Sequence, residues 1–278
     1  MAQSEGALPE LPQAYTLHVF PFSLYSIMAR FTYVLARSTK SPVGNDIVFE
    51  NKLVNLHHDE NISEDYLVHI NPKGQVPALT GASLDTPLTD SLEISYWICE
   101  RYPKMLPSSF EKQIREALKE LHRIKAICLS VPKEDHGERI PCPAVDDLLA
   151  KNDISNEYRA ALTFKREFHR GRLEFSLIER RIVRAETRAN KFFETILYFH
   201  ENRPHNSVWL FNGPTVLDAH VVPFILRLME NGRVDMIPET LQRYAKDIQK
   251  LDVWNQVMHG RPTLWNPSIG HVRDLNPF

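Results

Sequence analysis

The stretch Asn71-Pro72-Lys73-Gly74-Gln75-Val76-Pro77-Ala78-Leu79-Thr80 decides how the first hundred residues are read. Val76, Ala78 and Leu79 make a short apolar run, but Pro77 inside it has no N–H to give a ladder, so the strand must leave that position unpaired. On its N-terminal side, Ile47 to Leu56 reads as a strand and Ser26 to Ala36 as a helix with Ile27, Phe31, Val34 and Leu35 on one face. The Ser41-Pro42-Val43-Gly44 stretch ends that helix. Tyr15 to Phe20 is a further β-rich run, stopped by Pro21. Strand, helix and strand in this order predict a right-handed parallel βαβ unit. On the C-terminal side, Asp85-Thr86-Pro87-Leu88 supplies a turn and another short strand. Asp90-Ser91 then opens a helix carrying Ile94, Trp97 and Ile98, which Pro103 stops. The predicted order is βαβ followed by ββα.

Beyond residue 108 the pattern is helical. Phe110 to Leu129 repeats apolar residues at Ile114, Ala117, Leu118, Leu121, Ile124 and Cys128 on one face. Pro132, Pro141 and Pro143 break the period and predict an ordered loop or insertion over 130–155. Asn156 to His200 is helical again, interrupted near Gly171. Thr215 and Asp218 are spaced as a capping box for a helix burying Val221, Phe224, Ile225 and Leu228.

Composition narrows the function classes. The length of 278 residues suggests two domains at about 150 residues each. The 33 Lys+Arg against 35 Asp+Glu leave a formal charge of −2, so no basic field collects a nucleic-acid backbone. No run of 18 apolar residues is available for a bilayer span. Three cysteines, Cys99, Cys128 and Cys142, form neither a CxxC pair nor a disulfide ladder. The first 14 residues lack the marks of a signal peptide and are expected to be a loose arm, with a cytoplasmic location following. His57 and His58 are adjacent and lack the spacing of a metal site, so no metal is expected.

An α/β domain of about 90 residues joined to a helical one, with Asn71 to Leu79, Asp90-Ser91 followed by Ile94, and Gly213 to Asp218 at these separations, resembles the glutathione transferase superfamily, in particular its cytosolic, serine-type, fungal and theta-like members. The resemblance implies α/β plus all-α architecture: a thioredoxin-like glutathione-binding domain over 15–104 and an all-helical substrate-binding domain over 109–278. It implies glutathione as co-substrate, a hydrophobic electrophilic small molecule as the other, a cytoplasmic homodimer, and a cis peptide before Pro77. The reaction is conjugation, with a specialised substrate of secondary metabolism as the narrower reading. Glutathione-dependent cis-trans isomerisation through the same thiolate is the alternative, and a non-catalytic binding module of the same fold is the alternative of another class.

The residue types support those roles on physical grounds. A tripeptide can be held as an added strand on an exposed backbone edge, which Val76 offers next to Pro77. The helix opening at Asp90 and Ser91 presents free amides and a positive dipole to the γ-glutamyl carboxylate, with Asp90 for the ammonium and Gln75 toward the other end of the tripeptide. Capping alone would also account for Asp90 and Ser91. A thiolate needs a hydrogen-bond donor near a helix N-terminus, and the loop from Pro21 to Ser26 lies where that donor belongs. Ser23 is the first candidate, Tyr25 the second and Ser26 the third. The co-substrate pocket is expected among Phe22, Leu24, Leu121, His122 and Lys125, with the tail from Trp254 through Trp265 to Phe278 available to cover it.

Overall fold

Strand β1 (Gln13–Val19) takes the middle of a three-stranded sheet of order β2-β1-β3 in the computed structural model, which describes residues 13–43, 46–131, 137 and 139–278. It runs parallel to β2 (Ile47–Leu53), with Val19 opposite Leu53, and antiparallel to β3 (Ala78–Thr80), with His18 opposite Ala78. The β-rich run starts at Gln13 rather than Tyr15, which removes residues 13 and 14 from the expected arm; its residues 1–12 lie outside the described ones, as does Gly44. The second strand stops at Leu53 rather than Leu56. Asn55 caps a 3-10 turn at Leu56–His58, its Oδ1 accepting from the His57 amide at 3.1 Å. The strand expected at Asp85–Leu88 contracts to one antiparallel bridge, Leu88 with Leu79. Pro87 has no amide to extend it.

The helices α1 (Leu24–Ser38) and α2 (Ser91–Arg101) pack against each other. Helix α3 (Glu111–Arg123) ends six residues before the expected Leu129, because Ile124 is extended and the chain re-forms as a 3-10 turn at Ala126–Cys128. That turn keeps Cys128 and Leu129 buried, so the apolar period outlasts the helix. The Pro-rich segment holds a short helix α4 (Pro143–Leu149), while 132–136 and 138 lie outside the described residues. Then come α5 (Asn156–Arg172), whose last turn holds Gly171, and α6 (Glu179–Glu201).

Helix α7 (Val216–Glu230) is apolar nearly all round and packs on α1, α2, α3 and α8 (Glu239–Gln249), as a central helix should. Its predicted capping box forms: Asp218 accepts from the Thr215 amide at 2.9 Å, and Thr215 accepts from the Asp218 amide. The Asp218 carboxylate is fully buried and also accepts from the Leu210 amide and the Tyr244 hydroxyl, fixing α8 to the helix start. Helix α9 (Asp252–Met258) packs on α1, and the chain ends in 3-10 turns at Pro267–Ile269 and Val272–Asp274. The architecture is an N-terminal βαβ-ββα domain with a mixed sheet, followed by an all-helical domain. Among the described residues, no helix is long and apolar enough to cross a membrane, and no group of three or more metal-ligating side chains forms.

Candidate functional site

The sheet register gathers the candidate residues at one end. His18 opposes Ala78 in an antiparallel pair, so continuing the register brings Val76 level with Phe20, where β1 turns into the loop before α1. Leu79 opposes Leu88, so two steps on Pro77 comes level with Asp90, where α2 begins. Two helix N-termini therefore flank Val76-Pro77. The Val76–Pro77 peptide is cis. Neither the amide nor the carbonyl of Val76 has a hydrogen-bond partner among the described residues.

The loop before Val76 is built to hold still. Gly74 has φ of +57°, a conformation glycine adopts without strain, and a Cβ there would lie 2.9 Å from the Asn61 carbonyl oxygen. The Asn61 amide donates to the Gly74 carbonyl, and the hydroxyl of Tyr66 and the amide of Asn71 both donate to the carbonyl of Gln75. From α5, the buried Lys165 ammonium donates to the Lys73 carbonyl at 2.7 Å. Burial lowers its pKa. The side chain of Gln75 is half-buried and unbonded among the described residues.

Ser23 caps α1 with extended backbone at φ −72° and ψ 122°, and its Oγ accepts from the Ser26 amide at a long 3.4 Å. The Leu24 and Tyr25 amides at the helix start have no partner among the described residues, so the positive end of the helix is open beside a half-buried hydroxyl. Ser26 is placed differently: it is fully buried, and its Oγ accepts from the Phe20 amide, bracing the loop from inside. Tyr25 turns its ring toward His122, centroids 6.0 Å apart, and its hydroxyl has no partner among the described residues. Burial, followed by the Asp90 charge, pushes its pKa up to about 12, so it stays protonated near neutral pH.

At α2, the exposed Asp90 caps the helix by accepting from the Leu92 amide at 2.8 Å and the Glu93 amide at 3.2 Å. Ser91 is nearly buried, and its hydroxyl has no partner among the described residues.

Between the loop and the helical domain lies a narrow crevice, too tight to admit a water-sized sphere, lined by Leu24, Tyr25, Met28, Leu121, His122, Ala126 and Phe224. Three of the five expected pocket residues are brought together here. Phe22 is not: it packs with Phe20, Val54, Tyr66, Val76 and Val272 in a separate apolar cluster. Nor is Lys125, whose ammonium reaches the other way to the Arg172 carbonyl at the end of α5. A long flexible side chain beside a helix C-terminus finds free carbonyls there, which the position of Lys125 in the stripe could not reveal.

Two features carried no recognisable sequence signal. Arg227 of α7 donates to the carbonyls of Phe22 at 2.7 Å and Thr263 at 2.6 Å, tying the residue before Ser23 to the root of the tail. His220, fully buried on the same helix, bonds His122 at 2.9 Å. The tail, expected over the co-substrate pocket, lies instead over the site end of the sheet, where Val272 joins the Val76 cluster and the Trp265 ring meets that of His57 at 4.5 Å.

No family model and no curated protein matches the sequence. Solved structures do match. A glutathione transferase homologue from Sulfitobacter with bound glutathione is 16% identical, with 88% of this chain and 97% of that one covered at a TM-score of 0.53. A maleyl pyruvate isomerase, described as a bacterial zeta-class glutathione S-transferase, is 17% identical, with coverage of 87% and 95% and the same TM-score of 0.53. A glutathione transferase from Pseudomonas putida with one glutathione disulfide per subunit is 12% identical, with coverage of 89% and 91% and a TM-score of 0.56. At these identities the likeness is one of fold: the chain has the glutathione transferase fold.

Proposed function

We propose that this protein is a glutathione transferase in which the Ser23 hydroxyl and the N-terminus of α1 hold the glutathione sulfur as thiolate for attack on an apolar electrophile. The observation that carries the reading is the unpaired Val76 backbone flanked by two helix starts with free donors. The cysteinyl backbone of glutathione pairs with the Val76 amide and carbonyl as an added strand. Its γ-glutamyl carboxylate takes the Ser91 amide and hydroxyl, its ammonium takes Asp90, and Gln75 reaches toward the glycyl end. The sulfur then faces Ser23, half-buried at the open helix start, rather than Ser26, which is fully buried. The thiol proton leaves to solvent and the thiolate adds to the electrophilic carbon of an apolar co-substrate, which enters where the closed crevice of Leu24, Leu121 and His122 opens to admit it. Residues 15–104 form the glutathione-binding part and 109–278 the substrate-binding part of a cytoplasmic homodimer. The structural likeness to a maleyl pyruvate isomerase supports isomerisation by the same thiolate as the second reading.

Thiolate absorbance of bound glutathione, followed against pH, tests the proposal. The expected result is a thiol pKa below the free value in the native protein, returning toward it in Ser23→Ala. A near-solution pKa in both proteins would refute the enzymatic reading and leave a binding module.

A further inference from the structure

Helix α5 brings a positive charge to the back of the Val76 edge. Tyr158, Leu162 and Lys165 fall at i, i+4 and i+7 and so share one face of the helix. Tyr158 and Leu162 are buried in a cluster with Ile62 and Leu67, and the Tyr158 hydroxyl donates to the Ile62 carbonyl at 2.7 Å. These anchors fix where Lys165 stands. The residue is 4% exposed, and its ammonium donates to the carbonyls of Lys73 at 2.7 Å and Gly74 at 3.3 Å. Glycine at 74 permits the approach, since a Cβ there would lie 3.1 Å from both Cε and Nζ of Lys165.

A buried ammonium ordinarily has a carboxylate for company. Lys165 forms no ion pair among the described residues. The Cys142 thiol bears on it, but burial raises the pKa of that thiol, so it brings no negative charge near neutral pH. The Asn61 amide, on the same Gly74 carbonyl, is a second donor there. Main-chain dipoles alone therefore face the ammonium, and its field passes through the Gly74–Gln75 peptide toward the ligand edge. The sheet register says which part of a bound tripeptide meets it. With the cysteinyl residue on Val76 and the γ-glutamyl residue at Asp90, level with Pro77, the glycyl residue of an added strand lies on the Gln75 and Gly74 side. Arg273 and Glu60, the ion pair at this end, are spent on each other at 2.8 Å. We infer that Lys165 is a positioning residue whose uncompensated charge, acting through the Gly74–Gln75 peptide, holds the glycyl carboxylate of glutathione. This rests on the transferase reading, which supplies the tripeptide and its direction.

Titration calorimetry of the full-length protein with glutathione and with its glycyl monoethyl ester tests the assignment. The native protein should bind glutathione about tenfold more tightly than the ester, as expected for a charge pair at partly buried range. Lys165→Met keeps the aliphatic stem and removes the charge. It should weaken glutathione by about tenfold and the ester by less than about threefold, so that the preference closes. A merely structural role would weaken both ligands alike, and equal losses would overturn the inference. A second measurement needs no variant: the native preference should persist in about 0.5 M sodium chloride, which screens an exposed cation such as Arg273 far more than a buried one. A preference that vanishes in salt, or equal native affinities for the two ligands, would also overturn it. A native protein that binds neither ligand would refute the transferase reading itself and take this inference with it, an outcome distinct from the others.

Discussion

Replacing Arg227 by methionine should cost about 2–6 kcal/mol of stability and displace the loop that carries Ser23. The guanidinium is buried, and burial lowers its pKa only to about 10, so it is charged at neutral pH. It donates to the Phe22 carbonyl at 2.7 Å, the Thr263 carbonyl at 2.6 Å and the Thr263 hydroxyl at 3.0 Å. Methionine fills much of the same volume, so a cavity contributes little. The loss comes from two buried carbonyls left without donors, each at about 1–3 kcal/mol. Glu230, which accepts from the Thr263 and Leu264 amides, also loses the neighbouring positive charge. Lysine keeps the charge but cannot fork, so Arg227→Lys should fall between the native protein and Arg227→Met. Equilibrium urea unfolding of the three proteins measures this. A loss below about 1 kcal/mol in Arg227→Met would show that the two carbonyls find other donors and that Arg227 is not what fixes the loop to the tail.

Gly74→Ala should destabilise by about 2 kcal/mol in the same urea assay, because φ of +57° and the Asn61 oxygen at 2.9 Å both oppose a Cβ; an unchanged midpoint would contradict this. Val272→Asp puts a carboxylate among Phe20, Phe22, Val54, Tyr66 and Val76, so trypsin should cleave after Arg273 faster than in the native protein, and equal rates would mean that the tail is held elsewhere. His18 is buried and its pKa is lowered from 6.5 to about 4, by burial first and then by Lys52, so the fold favours the neutral ring. Its contribution is complete above pH 6.5 and is lost as pH falls toward 4, so His18→Asn should flatten that part of the stability profile; an identical slope in both proteins would rule it out.

What was legible in the sequence followed from local rules. Pro77 within an apolar run, the capping spacing of Thr215 and Asp218, and Asp90-Ser91 before Ile94 each constrain a few neighbouring residues, and each element formed where expected. Ends were less legible: α3 stops at Arg123 because the chain can continue burying Cys128 through a 3-10 turn, and periodicity cannot tell the two apart. The site's supports were illegible for a different reason. Lys165 under Gly74, Arg227 on Phe22, and His220 behind His122 act at separations of 91, 205 and 98 residues. On its own helix each looks like a polar residue in an apolar stripe. The same limit misplaced Lys125, whose partner carbonyl on Arg172 is 47 residues away.

The neutrality of the histidine pair bears on how the work of the site is divided. An imidazolium near the sulfur would stabilise a thiolate strongly, yet His122 and His220 share one hydrogen at 2.9 Å and are both kept from protonation by burial. Tyr25, with its pKa pushed up to about 12, adds no charge either. Positive potential at the loop comes from the start of α1, with the Leu24 and Tyr25 amides unbonded and the Ser23 hydroxyl beside them, and from the charged Arg227 guanidinium of α7 on the Phe22 carbonyl. The long 3.4 Å cap bond from Ser26 to Ser23 makes only a weak claim on that hydroxyl, so turning it to a sulfur loses little. Under the proposed mechanism, thiolate stabilisation therefore draws on the start of α1 and on Arg227 of α7, one from each domain, and not on the neutral histidine pair.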